Sequence, residues 1–121
     1  MERRLEWFRD LYEAFNRRDA PAVLSRMTPD VDWPNGWQGG RVTGQTAVGE
    51  YWAEQWAQIS PEVHPLSVEL RPDGSMVVAV RQVVSSLAGE LLAETRLNHV
   101  YVFRDDLISR MEIEELPTDR E

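Results

Sequence analysis

LNHVYVFRDDLISRMEI, residues Leu97 to Ile113, reads as two long strands joined by a tight acidic turn at Arg104, Asp105 and Asp106. Side chains alternate across a strand, so Leu97, His99, Tyr101 and Phe103 share one face and Asn98, Val100 and Val102 the other. Both faces carry apolar residues, which predicts a strand covered on both sides. On the return strand Ser109, Met111 and Ile113 form one face, while Arg110, Glu112 and Glu114 form a charged, wet one. A histidine between Leu97 and Tyr101 on its own face is expected to point into an enclosed space. The plainer alternative is a core histidine bonded to a neighbour, and the hairpin alone does not choose between them.

Outward from this hairpin the chain divides into helices and strands. Residues 3–16 form an amphipathic pattern with Leu5, Phe8, Leu11, Tyr12 and Phe15 inward. Asp19 is the expected N-cap of a second helix, with Pro21 in its first turn and Val23, Leu24 and Met27 inward. Thr28-Pro29-Asp30 is expected to end that helix. Val31, Asp32 and Trp33 then make a short strand, and Pro34 to Gly44 is glycine-rich loop. A third helix is predicted from Gln45 to Ile59, with Val48, Trp52, Trp56 and Ile59 as its stripe and Ser60-Pro61 as its stop. Strands follow at Val63 to Arg71, Met76 to Leu87 and Leu91 to Phe103, with turns at Pro72 to Ser75 and at Gly89. Arg81 and Gln82 are adjacent in an apolar strand, so one faces inward and the other outward.

Helices followed by long antiparallel strands predict an α+β fold with the helices on one face of a curved sheet. The 121 residues suit one domain, which buries roughly 65% of the surface its unfolded chain exposes. There is no cysteine, so disulfides and thiolate chemistry are excluded. The net charge is −8, and all 13 basic residues are arginine. An acidic surface without a basic cluster argues against nucleic acid and anionic membranes. The absence of lysine removes Schiff-base and P-loop chemistry. The N-terminus lacks the apolar run of a signal peptide, and no window is long enough to span a membrane, so a cytoplasmic protein is expected. His64, between Val63 and Pro65 at a strand start, reads as an exposed loop-edge residue. Two histidines without an aligned carboxylate make too few ligands for a metal site, and no metal or cofactor is expected.

The runs LYEAFNRRDAPAVLSRMTPDVDW, GQTAVGEYW and HVYVFRDDLISRMEI resemble the SnoaL-like branch of the nuclear transport factor 2-like superfamily. The resemblance covers about residues 5–115. It implies a cone-shaped, curved mixed β-sheet wrapped by three N-terminal helices, an α+β roll of the nuclear transport factor 2-like or cystatin-like type, with an apolar pocket inside. It also implies a homodimer through the outer sheet face, where Val77, Ala79, Val83, Val100 and Val102 are available. That branch is similar to ketosteroid isomerase, polyketide cyclases, scytalone dehydratase and limonene epoxide hydrolase. In ketosteroid isomerase a tyrosine and a protonated aspartate face an aspartate base. Those positions fall on Leu11 (beside Tyr12), His99 and Asn35, and the aromatic that supports the tyrosine falls on Trp52. The cyclase histidine looks like His99 and the cyclase aspartate falls on Ile113. The dehydratase aspartate falls on Asn16, and Arg81 is the one remnant of the epoxide hydrolase set.

What the resemblance implies for chemistry is proton transfer on a small hydrophobic cyclic molecule, polyketide- or steroid-like. His99 would be the acid/base, suited by its ordinary pKa of about 6.5. Asn35 and Tyr12 would hold an oxygen. Trp33, Trp37, Tyr51, Trp52, Trp56, Arg81, Gln82, Tyr101, Met111 and Ile113 would contact the ligand. The other reading is a ligand-binding or dimerisation module of the same fold without chemistry.

Overall fold

The computed structural model describes residues 2–35 and 39–115. In chain order these form helices α1 (Glu2–Asn16) and α2 (Ala20–Leu24), strands β1 (Met27–Pro34) and β2 (Arg41–Thr43), helix α3 (Gln45–Trp56), and strands β3 (Ile59–Leu70), β4 (Met76–Ser86), β5 (Leu91–Arg104) and β6 (Leu107–Glu115). The strands build one curved six-stranded sheet in the order β2-β1-β6-β5-β4-β3. All pairs are antiparallel except β1 with β6, so the sheet is mixed. The helices pack on its concave side, where Phe8, Leu11, Tyr12, Val48 and Trp52 meet Val31, Val78, Val80, Leu97, Tyr101 and Met111 in one apolar cluster. No helix among the described residues is long and apolar enough to cross a membrane.

The β5–β6 hairpin closes over two residues, Asp105 and Asp106, both at positive φ (55° and 67°). Two left-handed residues in a two-residue loop give the backbone twist that matches paired strands. One residue of β6 departs from simple alternation. Val102 pairs with Arg110 and Phe103 with Ile108, so Ser109 is the extra residue of a bulge. Its hydroxyl donates to the Val102 carbonyl at 3.1 Å. Ile108 therefore takes the fully buried place the alternation assigned to Ser109, Met111 is buried as expected, and Ile113 keeps the same face but is exposed at the cavity wall.

The segment expected to be loop from Pro34 to Gly44 instead holds the last residue of β1 and the short strand β2, Arg41–Thr43, and two further boundaries differ from the sequence reading, each near a proline. Thr28-Pro29-Asp30 lies inside β1, and Met27 is its first residue rather than the end of a helix. Helix α3 stops at Trp56, and Ser60-Pro61 lies inside β3. Proline removes a backbone donor, which a helix interior cannot spare but an edge strand can. Strand β3, at the sheet edge, holds both Pro61 and Pro65. Pro29 sits where the β1–β6 register shifts between Met27 and Asp32.

Helix α1 is pinned to the edge strand at its C-terminus. Asn16 donates to the Val63 carbonyl and accepts from the Val63 amide, both at 2.9 Å. Arg18 adopts a left-handed backbone (φ 67°), which lets the chain reverse into α2. Its guanidinium donates to the Pro61 carbonyl at 2.7 Å and to Ser60 Oγ at 2.9 Å. The Asp19 side chain then caps α2 by accepting from the Ala22 amide.

Candidate functional site

A cavity of about 580 Å³ lies between the concave sheet face and the helices. Strand β5 brings His99 and Tyr101 to it, because residues two apart on a strand share a face. Helix α1 brings Tyr12 from the opposite side. Tyr12 lies one turn from Phe8, and both are buried with the core.

These three side chains form a hydrogen-bonded chain. Tyr12 Oη lies 2.8 Å from His99 Nδ1 and 2.6 Å from Tyr101 Oη. All three residues are buried: Tyr12 is 4% exposed, His99 5% and Tyr101 1%. Burial alone lowers the His99 imidazole to about 4, far from the ordinary value expected of it. The ring is therefore neutral at pH 7. Burial pushes the Tyr12 hydroxyl well above its ordinary range, and the neighbouring Tyr101 adds to that. Burial also raises Tyr101, which its bond with Tyr12 partly offsets. All three groups stay uncharged near neutrality, and among the described residues no carboxylate bonds to the imidazole.

Aromatic rings brace this chain. Phe8 lies against Tyr101 with ring centres 4.9 Å apart, and Trp33 meets Trp52 edge to face at 5.6 Å. Of the residues expected to contact a ligand, Trp33, Tyr51, Trp52, Gln82, Tyr101, Met111 and Ile113 line the cavity, as do His99, Tyr12 and Asn35. Asn35 stands at the end of β1, where its backbone exchanges hydrogen bonds with Gly39 and Gly40. Trp37 lies outside the described residues.

Two expected contacts are placed elsewhere. Arg81 faces away, paired with Glu94 at 2.8 Å, because Val80 and Gln82 take the inward positions of β4. Trp56 is spent on packing. It stacks on Trp52 at 5.8 Å, meets Phe15 at 5.3 Å, and is covered by the Arg18 guanidinium 5.3 Å from its ring centre. Asp32 faces outward, as alternation predicts, and pairs with Arg41 and Arg110. Asn16, at the family's dehydratase position, is committed to the β3 backbone.

Sequence reasoning missed Gln55, Thr95 and Glu115, the further polar residues of the cavity wall. Thr95 and Glu115 were legible by parity, since each stands two residues along a strand from an inward residue, Leu97 and Ile113. His64 sits half-exposed on β3 with Nε2 3.4 Å from Glu62. Among the described residues no three His, Asp or Glu side chains gather as metal ligands.

A family model for the SnoaL-like domain matches residues 8–111. The chain belongs to the SnoaL-like domain family, within the nuclear transport factor 2-like superfamily. This SnoaL-like chain is 30% identical to TerC, whose crystal structure was obtained with polyporic acid. The match covers 85% of this chain and 83% of TerC, with a TM-score of 0.73. A nuclear transport factor 2-like protein of unknown function from Burkholderia pseudomallei K96243 is 25% identical over 95% of this chain and 92% of that one, with a TM-score of 0.78. The epoxide hydrolase/cyclase-like enzyme SalBIII, of pyran ring formation in the polyether salinomycin, shares the SnoaL-like fold at 16% identity, with a TM-score of 0.73 over 93% of this chain and 90% of its own. No curated protein sequence matches the chain.

Proposed function

We propose that the cavity is the active site of an enzyme that moves a proton on a small, mostly apolar cyclic molecule, an isomerase, cyclase or dehydratase. The observation that carries this reading is the buried, uncharged Tyr12–His99–Tyr101 chain on the wall of a 580 Å³ cavity. Buried polar groups are ordinarily hydrogen-bonded to satisfaction. His99 Nε2 has no hydrogen-bond partner among the described residues, and it belongs to a residue that lines the cavity. It is positioned to accept a proton from a ligand. Trp33, Trp52 and Met111 supply an apolar wall, while Asn35 and Gln82 offer polar contacts to ligand oxygens. The likeness to TerC makes polyporic acid the first compound to try.

A second reading, a binding module without chemistry, is favoured by one observation: burial holds the imidazole at about 4, with no carboxylate among the described residues to stabilise its charged form. One experiment separates the two. The protein is incubated with polyporic acid and a panel of aromatic polyketides, steroids and terpenoids, and wild type is compared with His99→Ala. Turnover that disappears in His99→Ala supports the enzyme. Turnover that survives it removes His99 from catalysis, and binding without turnover of any compound supports the module. The convex sheet face is the surface proposed for a homodimer, which sedimentation velocity tests.

A further inference from the structure

Tyr12 stands between two neighbours with one proton to give. If it donates to His99 Nδ1, Tyr101 must donate to Tyr12, and the imidazole carries its proton on Nε2. If instead it donates to Tyr101, Nδ1–H donates to Tyr12. Nε2 is then a bare lone pair, and the Tyr101 proton is released from its inward bond. The chain has only these two directions. In the second, a base stands at one end and an acid at the other, on alternate residues of one strand, with ring centres 6.3 Å apart. Both ends belong to residues that line the same cavity.

We infer that His99, Tyr12 and Tyr101 act as one proton relay that enolises a ketone, with His99 Nε2 taking the proton from carbon and Tyr101 giving one to oxygen. This rests on the proton-transfer reading above and names its substrate class, a cyclic ketone with an acidic C–H beside the carbonyl. The step balances. The substrate C–H bond breaks, and its proton goes to Nε2. The electron pair left behind forms the carbon–carbon double bond, and the carbonyl π pair moves to oxygen. The Tyr101 proton goes to that oxygen, the Tyr12 proton to Tyr101, and the Nδ1 proton to Tyr12. The protein neither gains nor loses charge, and its chain ends in the opposite direction. Returning a proton from Nε2–H to a second carbon, while Tyr101 recovers the enol proton through the chain, restores the starting direction. A shift of a double bond along the ring therefore closes the cycle, and exchange of Nε2–H with water between the two steps lets solvent deuterium into the carbon framework. Tyr101 is the catalytic acid here, and Tyr12 is a positioning residue that carries the proton.

Burial explains why a relay suits this site better than a lone base. An imidazolium and a phenolate are both disfavoured in the cavity, one by a lowered and the other by a raised pKa. In the relay each of the three groups receives a proton as it loses one, so neither ion has to form.

The test uses 2-tetralone as probe in D2O, with deuterium entry beside the carbonyl followed by proton NMR. His99→Gln, Tyr12→Phe and Tyr101→Phe are compared, the phenylalanines keeping ring volume. The relay predicts that each single change slows exchange about 100-fold or more. It also predicts that the Tyr12→Phe/Tyr101→Phe double variant is no slower than either alone, because the residues act as a unit. Rates in mixed H2O and D2O should curve for wild type, as several protons move together, and be linear for Tyr101→Phe. A Tyr101→Phe rate within threefold of wild type, with exchange still lost in His99→Gln, overturns the relay and leaves His99 as a lone base. Exchange unchanged in His99→Gln, or absent from wild type, overturns the relay and the proton-transfer reading together. A second readout needs no substrate. In Tyr101→Phe the Tyr12 proton has only Nδ1 to bond, so the His99 ¹⁵N shifts should move to those of the Nε2–H form. Identical shifts in wild type and Tyr101→Phe would show a chain of fixed direction and sink the relay.

Discussion

The two faces of the same three strands carry opposite chemistry. On the concave face of β4, β5 and β6 stand Val78, Val80, Leu97, His99, Tyr101 and Met111, all buried, and their polar atoms meet through neutral hydrogen bonds. On the convex face, one residue out of phase, Arg81 pairs with Glu94, Arg71 with Glu114, and Arg110 with both Asp32 and Glu112. Charge is cheap where water screens it and costly where it does not, so the pleat sorts ionised from neutral groups. The imidazole and phenols of the candidate site lie on the buried, uncharged part of the concave face, and the one carboxylate among the described lining residues, Glu115, stands at the exposed end of β6.

Moving a charge across the pleat is the hardest test of this contrast. Val80→Glu places a carboxylate at a fully buried position and should cost about 4 kcal/mol or leave no folded protein. Ala79→Glu, one residue away on the convex face, should cost the single protomer about 1 kcal/mol or less, with both read from urea unfolding at concentrations where sedimentation velocity shows the monomer.

Acid is the next test. His99 is held at about 4 in the folded protein. In the unfolded chain it returns to about 6.5. Between those values the unfolded chain binds a proton that the folded one does not, so stability falls as pH drops from 6.5 to 4 and is unaffected by this group above 6.5. The loss attributable to His99 is at most about 3 kcal/mol. Stability measured at pH 7 and pH 4 should therefore drop further for wild type than for His99→Gln, by an amount of that order.

Cutting the neutral chain should have a smaller effect. Tyr12→Phe removes the shared partner of His99 Nδ1 and Tyr101 Oη and should destabilise by about 1–3 kcal/mol. Breaking the outer Arg81–Glu94 pair should do least. Its double-mutant coupling should be small at low salt and vanish in concentrated salt.

The sequence made this contrast readable wherever a strand kept strict alternation. The faces of β5, the outward turn of Asp32, and the inward helix face with Phe8, Leu11 and Tyr12 were all legible on that basis. It was silent where a local signal had two meanings. Proline reads as a helix stop, yet Pro29, Pro61 and Pro65 sit in strands with backbone donors to spare. Ser109 broke alternation because a bulge leaves no trace in residue type. Within the site, the Tyr12–His99 bond joins residues 87 apart, and nothing local announces it. Tyr101 was read as part of the aromatic wall, since its ring gives no hint that its hydroxyl meets Tyr12. Trp56 was placed with the ligand because its helical stripe is continuous with Trp52, and nothing local announces that Arg18 reaches over its ring from the α1–α2 turn.

The central claim is that His99 sits uncharged inside, bonded to a phenol. Following its two ring nitrogens by ¹⁵N NMR from pH 8 down to pH 3.5 tests this most directly. The account predicts a neutral ring until near pH 4 and a change in Nδ1 shift on Tyr12→Phe. Protonation near pH 6.5, with shifts indifferent to Tyr12→Phe, would put the ring in water and contradict the account.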